Sequence, residues 1–268
     1  MSGYLWRIAK HTDTRLKQAV NAGTGDNVET LAFMLDNWAS IIRLTVEHVE
    51  IVGVGVGLAI LTGVPLGIVI TANARAAKIV LYLAAILMTI PSVALFGLMI
   101  PVLSVIGQGI GFLPTVIALF LYSQLPIVRN TYTAITNIDP ALREAARGIG
   151  MTTRQRLWKV EIPIALPIIM AGVRMAVVIN VGIAAVAAYI GAGGLGKLIS
   201  RGISQSDPRQ LIAGAILVSV LAIAADYGLG WVQRLLTPKG LRSPSRTGRL
   251  ALRLGAWASF RKSPHHAQ

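Results

Sequence analysis

Five long apolar runs leave this chain little choice of fold. The first, residues 51–70, contains no charged residue, and four more follow over 79–103, 109–128, 164–190 and 211–236. About twenty apolar residues in a helix match the hydrocarbon thickness of a bilayer. A helix also satisfies its own backbone polar groups where no water is present. Charged residues make up 13% of the chain, about half the share found in soluble domains. The sequence therefore predicts an all-α, polytopic membrane bundle with five spans. Residues 1–43 read as a polar leader with an interfacial helix, 44–241 as the membrane domain and 242–268 as a basic tail.

Local signals refine the spans. Pro91 and Pro101 predict a kink or break in the second, where exposed backbone must face protein or a cavity. Pro114 and Pro126 mark the ends of the third. In the first, Gly53 with Gly57 and Gly63 with Gly67 form small-xxx-small pairs that permit close helix contact. Residues 31–46 mix Phe33, Met34, Trp38, Ile41 and Ile42 with Asp36 and Arg43. That stretch is too charged to span and reads as an amphipathic helix, on the interface or packed on the bundle. Residues 1–30 lack the apolar core of a signal peptide, so the first span is expected to start insertion.

A net charge of +14 raises the possibility of nucleic-acid binding, and Arg154 to Arg156 even suggest a recognition helix. Most Lys and Arg, however, flank the apolar runs, as the positive-inside rule requires. With the 129–161 loop and the C-terminus on one side, that side holds sixteen basic residues and the other eight, while Arg174 lies within a span. The expected topology is N-terminus outside and C-terminus in the cytoplasm, with no nucleic-acid partner. The tail interleaves Leu250, Leu252, Leu254, Trp257 and Phe260 with Arg249, Arg253 and Arg261, a pattern suited to weak lipid contact or to disorder.

The most informative loop is 139–163. Asp139 suits an N-cap and Pro140 the first helical position. Leu142, Ala145, Ala146 and Ile149 recur at helical spacing and give one apolar face. Gly148 and Gly150 are expected to stop this helix, and Thr152 with Gln155 reads as a capping box for a second. Pro163 and Pro167 are expected to end the second helix before the next span. Two short helices displayed between spans predict a surface read by something outside the membrane.

Glu144-Ala145-Ala146, Gly150, and Val160-Glu161-Ile162-Pro163 resemble the EAA motif of ABC-importer permeases of type I fold. Val160 and Ile162 stand where that motif has Ile and Leu. Residues 90–97, 125–132 and 190–196 look like the osmoprotectant branch, which imports glycine betaine, choline and related quaternary amines. The resemblance runs from about Leu44 to Leu241. It implies a permease subunit of the bacterial inner membrane that pairs with a second permease chain, identical or homologous. ATPase subunits carrying ATP and Mg would dock on Leu142, Glu144, Ala145, Ala146, Ile149 and Gly150, and an external solute-binding protein would deliver the solute. No cofactor is expected on this chain. The alternatives are an ion-coupled secondary transporter, an ABC permease for another small polar solute such as an amino acid, and a membrane-anchored nucleic-acid-binding regulator.

Other motifs are weighed on context. Gly191 to Lys197 imitates a dinucleotide or Walker A loop, but a membrane helix precedes it and Leu198 stands where a Walker A needs Ser or Thr. It reads as a glycine-rich turn or re-entrant segment. Arg174 and Asp226 are the deepest intramembrane charges and are expected to pair across the fourth and fifth spans. Tyr122, Gln124, Asn180 and Tyr189 are candidates to line a pathway, although no substrate site is assigned. No metal set, H-E-x-x-H or G-x-S-x-G pattern is present, which argues against an enzyme. His265 and His266 read as tail residues.

Overall fold

The computed structural model describes residues 29–237, so the leader 1–28 and the tail 238–268 lie outside the described residues. The chain is helical from its first described residues: α1 (29–36) turns at Asn37 into α2 (Trp38–Val69). Then come α3 (Ala74–Thr89), α4 (Ser92–Ser104), α5 (Phe112–Thr136), α6 (Pro140–Gly148) and α7 (Thr153–Arg156). A π-helical turn, Leu157–Glu161, leads into α8 (Ile162–Val186), followed by α9 (Gly196–Gln205) and α10 (Pro208–Leu236). No strand occurs among the described residues.

Four helical stretches are long and apolar enough to cross a membrane: Trp38–Ala72, Phe112–Thr136, Thr153–Ile190 and Pro208–Leu236. The fifth crossing is the pair α3 and α4, bent by 97° at Pro91. Packing shows that this pair must carry the chain from one end of the bundle to the other. Ile70 and Ala77, at the turn into α3, cluster with Val128 in the later half of α5. Leu95 and Phe96 of α4 cluster with Ala118, Tyr122 and Ala187 toward the opposite end. The Tyr122 hydroxyl donates to the Ile90 carbonyl, a backbone group next to the break.

The centre of the bundle is α5 against α2 and α8. Positions 55, 63 and 67 of α2 meet Leu119, Ile127 and Thr131 of α5 in step, so the two helices run parallel. A Cβ at Gly67 would lie 2.6 Å from Thr131 Cβ, which explains why glycine is needed there. The predicted partner pair Gly53 and Gly57 is different: a Cβ at either would meet nothing within 4 Å. Glycine spacing marked the right helix, but the face was fixed by register with α5. Pro101, Pro126 and Pro167 all sit inside helices rather than breaking them.

Residues 31–46, expected as an amphipathic helix on the interface or packed on the bundle, form most of α1 and the first part of α2. Ile41 and Leu44 pack on Leu195 and Leu198, so a domain boundary at residue 43 falls inside a helix. Two polar residues just beyond that stretch, Glu47 and His48, are held within the fold. Glu47 lies 4.0 Å from Arg43 and 3.4 Å from Lys197 and accepts the Gly194 N–H at 3.1 Å. The buried His48 accepts the Leu195 N–H on Nδ1 at 3.2 Å, which leaves the proton on Nε2, 3.1 Å from the Val181 carbonyl. These contacts clamp the glycine-rich turn, where Gly191, Gly193 and Gly194 have positive φ. The turn reading of residues 191–196 matches this geometry. The loop beyond it contains α9, a helix the sequence reading did not include.

Candidate coupling surface

The short helices of 139–163 are built largely from local hydrogen bonds. The Asp139 carboxylate accepts the Ala141 N–H at 2.9 Å and Pro140 occupies the first turn of α6. The helix ends through two crossed bonds, Met151 N–H to Ala146 O at 3.1 Å and Gly150 N–H to Arg147 O at 2.9 Å. Gly150 supplies the left-handed residue this termination requires, with φ 83°. Gly148 remains the last helical residue, so the stop belongs to Gly150 alone. The capping box is reciprocal: Thr152 Oγ1 accepts the Gln155 N–H, and Gln155 Oε1 accepts the Thr152 N–H.

Pro163 does not end the second helix. From Thr153 to Ile190 the chain stays helical, and the π turn at Leu157–Glu161 widens the helix just before Pro163, which falls in the first turn of α8. The shifted bonding of the π turn, in which the Ile162 N–H reaches the Leu157 carbonyl, accommodates the proline without breaking the helix. The result is a mechanical continuity from the loop into the span.

Glu161 fastens the unit. Its side chain is 7% exposed, and Oε1 accepts from Arg156 Nε at 2.7 Å and lies 3.3 Å from Arg143 Nε. Arg143 Nη2 also donates to the Ile135 carbonyl at 2.6 Å near the end of α5. One carboxylate thus joins α6, α7 and the base of α8, and Arg143 adds α5. Residue-by-residue reading missed this cluster. Its signal was an acid flanked by Val160 and Ile162 at the start of an apolar span, where burial demands a partner.

The predicted apolar face divides. Leu142 is 45% exposed, Ile149 75% and Ala145 is also exposed, whereas Ala146 is 4% exposed and faces the protein's own interior. On that side Arg143 ties α6 to Glu161 and to the end of α5. Glu144 is exposed and makes no side-chain hydrogen bond or ion pair among the described residues. Trp158, 62% exposed on the π turn, adds an aromatic side chain to the same segment.

Arg174 and Asp226 come together within the spans. Arg174 Nε and Nη2 donate to the two Asp226 oxygens at 2.9 and 2.7 Å, a bidentate pair between α8 and α10. Arg174 Nη1 also donates to Gln233, whose amide donates to the Pro167 carbonyl. The other polar candidates do not converge. Asn180 donates to Ser123 and Ala176 in the core, Tyr122 serves the α3–α4 break, Gln124 donates to Thr62, and Tyr189 is exposed.

Comparison with known proteins places this geometry among relatives. Residues 63–239 match the family described as the binding-protein-dependent transport system inner membrane component. The osmoprotectant import permease protein OsmW of Salmonella typhimurium strain LT2 is 57% identical over 80% of this chain and all of that protein. The glycine betaine/carnitine/choline transport system permease protein OpuCB of Bacillus subtilis strain 168 is 41% identical over 80% of this chain and 96% of that protein. Among solved structures, the MetNI methionine ABC transporter in an inward-facing conformation aligns over 74% of this chain and 96% of its own, with 25% identity and a TM-score of 0.67.

Proposed function

Because the chain belongs to the family of binding-protein-dependent transport system inner membrane components, we propose that it is the membrane-spanning subunit of an ATP-driven importer for quaternary-amine osmoprotectants of the glycine betaine and choline class. The substrate class rests on the relatives, whose names specify osmoprotectants, glycine betaine, carnitine and choline. The observation that carries the coupling role is an exposed apolar helix tied rigidly to two spans. Leu142, Ala145 and Ile149 face outward, while Glu161 and Arg143 bind α6 to α5 and α8.

ATPase subunits on separate chains dock on that face and on Glu144, with ATP and Mg held there. A second permease chain completes the pathway and an external solute-binding protein delivers the ligand. The EAA loop faces the cytoplasm, as the charge bias favours, and the N-terminus lies outside. ATP binds the closed ATPase pair more tightly than the open one, so closure draws the docked helices together and shifts the spans toward the outward-facing state. Because α7 continues through the π turn into α8, displacement of the loop moves a span directly.

Purification of the tagged chain from mild-detergent membranes, with mass spectrometry of its partners, tests the assignment. A stoichiometric ATPase with a Walker A loop is expected. Repeated recovery of this chain alone from intact membranes contradicts it.

A further inference from the structure

At the end of the bundle opposite the coupling surface, α1 and α2 meet α9 around a cavity of about 290 Å³. Arg43, Lys197 and Arg201 line it, with the amides Asn37, Gln205 and Gln210. Leu44 and Leu198 provide buried apolar surface beneath them. Glu47 faces two of these cations, and its charge is divided between Arg43, Lys197 and the Gly194 N–H. Arg201 makes no side-chain hydrogen bond or ion pair among the described residues. The cavity therefore keeps a net positive charge.

Its height in the membrane follows from the helices. Val181 lies twenty residues beyond Glu161 on α8, about 30 Å along the axis and so about one hydrocarbon thickness. His48 contacts the Val181 carbonyl, and Arg43 lies beyond it toward the N-terminal end of α2. The cavity thus sits at headgroup level. The opposite face of this helical stretch carries Leu35, Trp38, Ile42 and Val46, exposed and suited to acyl chains and the aromatic interface, and Arg43 lies between that face and the cavity. Arg43, exposed at the border of that stripe, links the cavity's cations to lipid-facing apolar surface, which favours a ligand with both parts.

The geometry points to a site for the phosphodiester headgroup of an anionic phospholipid, held by Arg43, Lys197 and Arg201. A free phosphate ion shares the anionic chemistry but makes no use of the apolar flank. An acidic protein loop likewise makes no use of the apolar flank.

The test is native mass spectrometry of the full chain, with whatever partners purify with it, titrated with dioleoyl phosphatidylglycerol and dioleoyl phosphatidylcholine. The protein is expected to hold the anionic lipid about tenfold or more tightly than the zwitterionic one. Arg201→Gln should reduce that preference severalfold, and the combined Arg43→Gln, Lys197→Gln and Arg201→Gln variant should abolish it. Arg154→Gln, at the other end, should leave it intact. Excess inorganic phosphate should not displace the lipid. If the triple variant does not fold, Arg201→Gln carries the test, since that side chain has no hydrogen-bond or ion-pair partner to lose among the described residues. Equal preference in wild type and Arg201→Gln overturns the site. Displacement by inorganic phosphate assigns the pocket to a free anion instead. Loss of an acidic co-purifying protein, with lipid preference unchanged, assigns it to protein docking.

Discussion

Arg156 Nε donates to Glu161 Oε1 at 2.7 Å, and that bond fastens the short helix after the glycine turn to the base of the fourth span. Arg143 reaches the same oxygen from α6 at 3.3 Å. The three side chains make one unit of what the sequence presents as separate pieces: a capped helix, a turn, a second cap and a span. A buried carboxylate thus ties α6 to the continuous helix that runs from Thr153 into the span.

Removing that carboxylate should disconnect the unit. Glu161→Ala leaves two guanidinium groups without their common partner and should cost about 2–3 kcal/mol, below the range for fully buried pairs because Arg143 is partly exposed. Thermal unfolding of the purified complex should fall, and ATP-driven uptake should fall more than ATPase co-purification. A variant with wild-type uptake and unfolding temperature would remove Glu161 from the coupling unit.

Gly150 tests the surface independently. Its φ of 83° strains any other L residue by about 1–2 kcal/mol, yet a Cβ there meets nothing within 4 Å. Gly150→Ala should insert normally and keep partial uptake. Gly150→Asp adds a charge on the open side and should retain membrane insertion while losing ATP-driven uptake. Normal uptake by the Asp variant counts against docking at this turn.

The Arg174–Asp226 pair predicts reciprocal dependence. Arg174→Ala or Asp226→Ala leaves one charge between α8 and α10 and should lower folded yield severalfold. The exchange Arg174→Asp with Asp226→Arg should restore part of the yield. An exchange no better than either single variant means that each charge is held separately by its surroundings.

The α2–α5 contact gives a packing test with an internal control. Gly67→Ala forces a Cβ to 2.6 Å from Thr131 and should lower the unfolding temperature by several degrees. Gly53→Ala, facing open space, should change stability by no more than about 0.5 kcal/mol. Equal effects from the two would contradict the observed register.

Much of this arrangement was legible because its signals are local. Asp139 and Thr152 cap helices with their own side chains, Gly150 provides a left-handed residue, and Pro91 marks a break within an apolar run. The features that were not legible depend on distant partners. Ala146 faces inward on the side where Arg143 ties α6 to Glu161, and residues 55, 63 and 67 face α5 only once the parallel register is set. Residues 31–46 look too charged for a span, and the partners that Lys197 and the glycine turn supply to the following Glu47 and His48 are distant in sequence. Pro163 reads as a stop, but the π turn before it admits a proline without interrupting the helix.

The most direct measurement is solute accumulation in proteoliposomes containing the complex as it purifies from native membranes, with its solute-binding protein and radiolabelled glycine betaine or choline supplied on the substrate side. Accumulation against a gradient should require hydrolysable ATP and Mg on the side of residues 139–163, and should be lost in Gly150→Asp. Uptake driven equally well by an ion gradient without ATP would contradict the account.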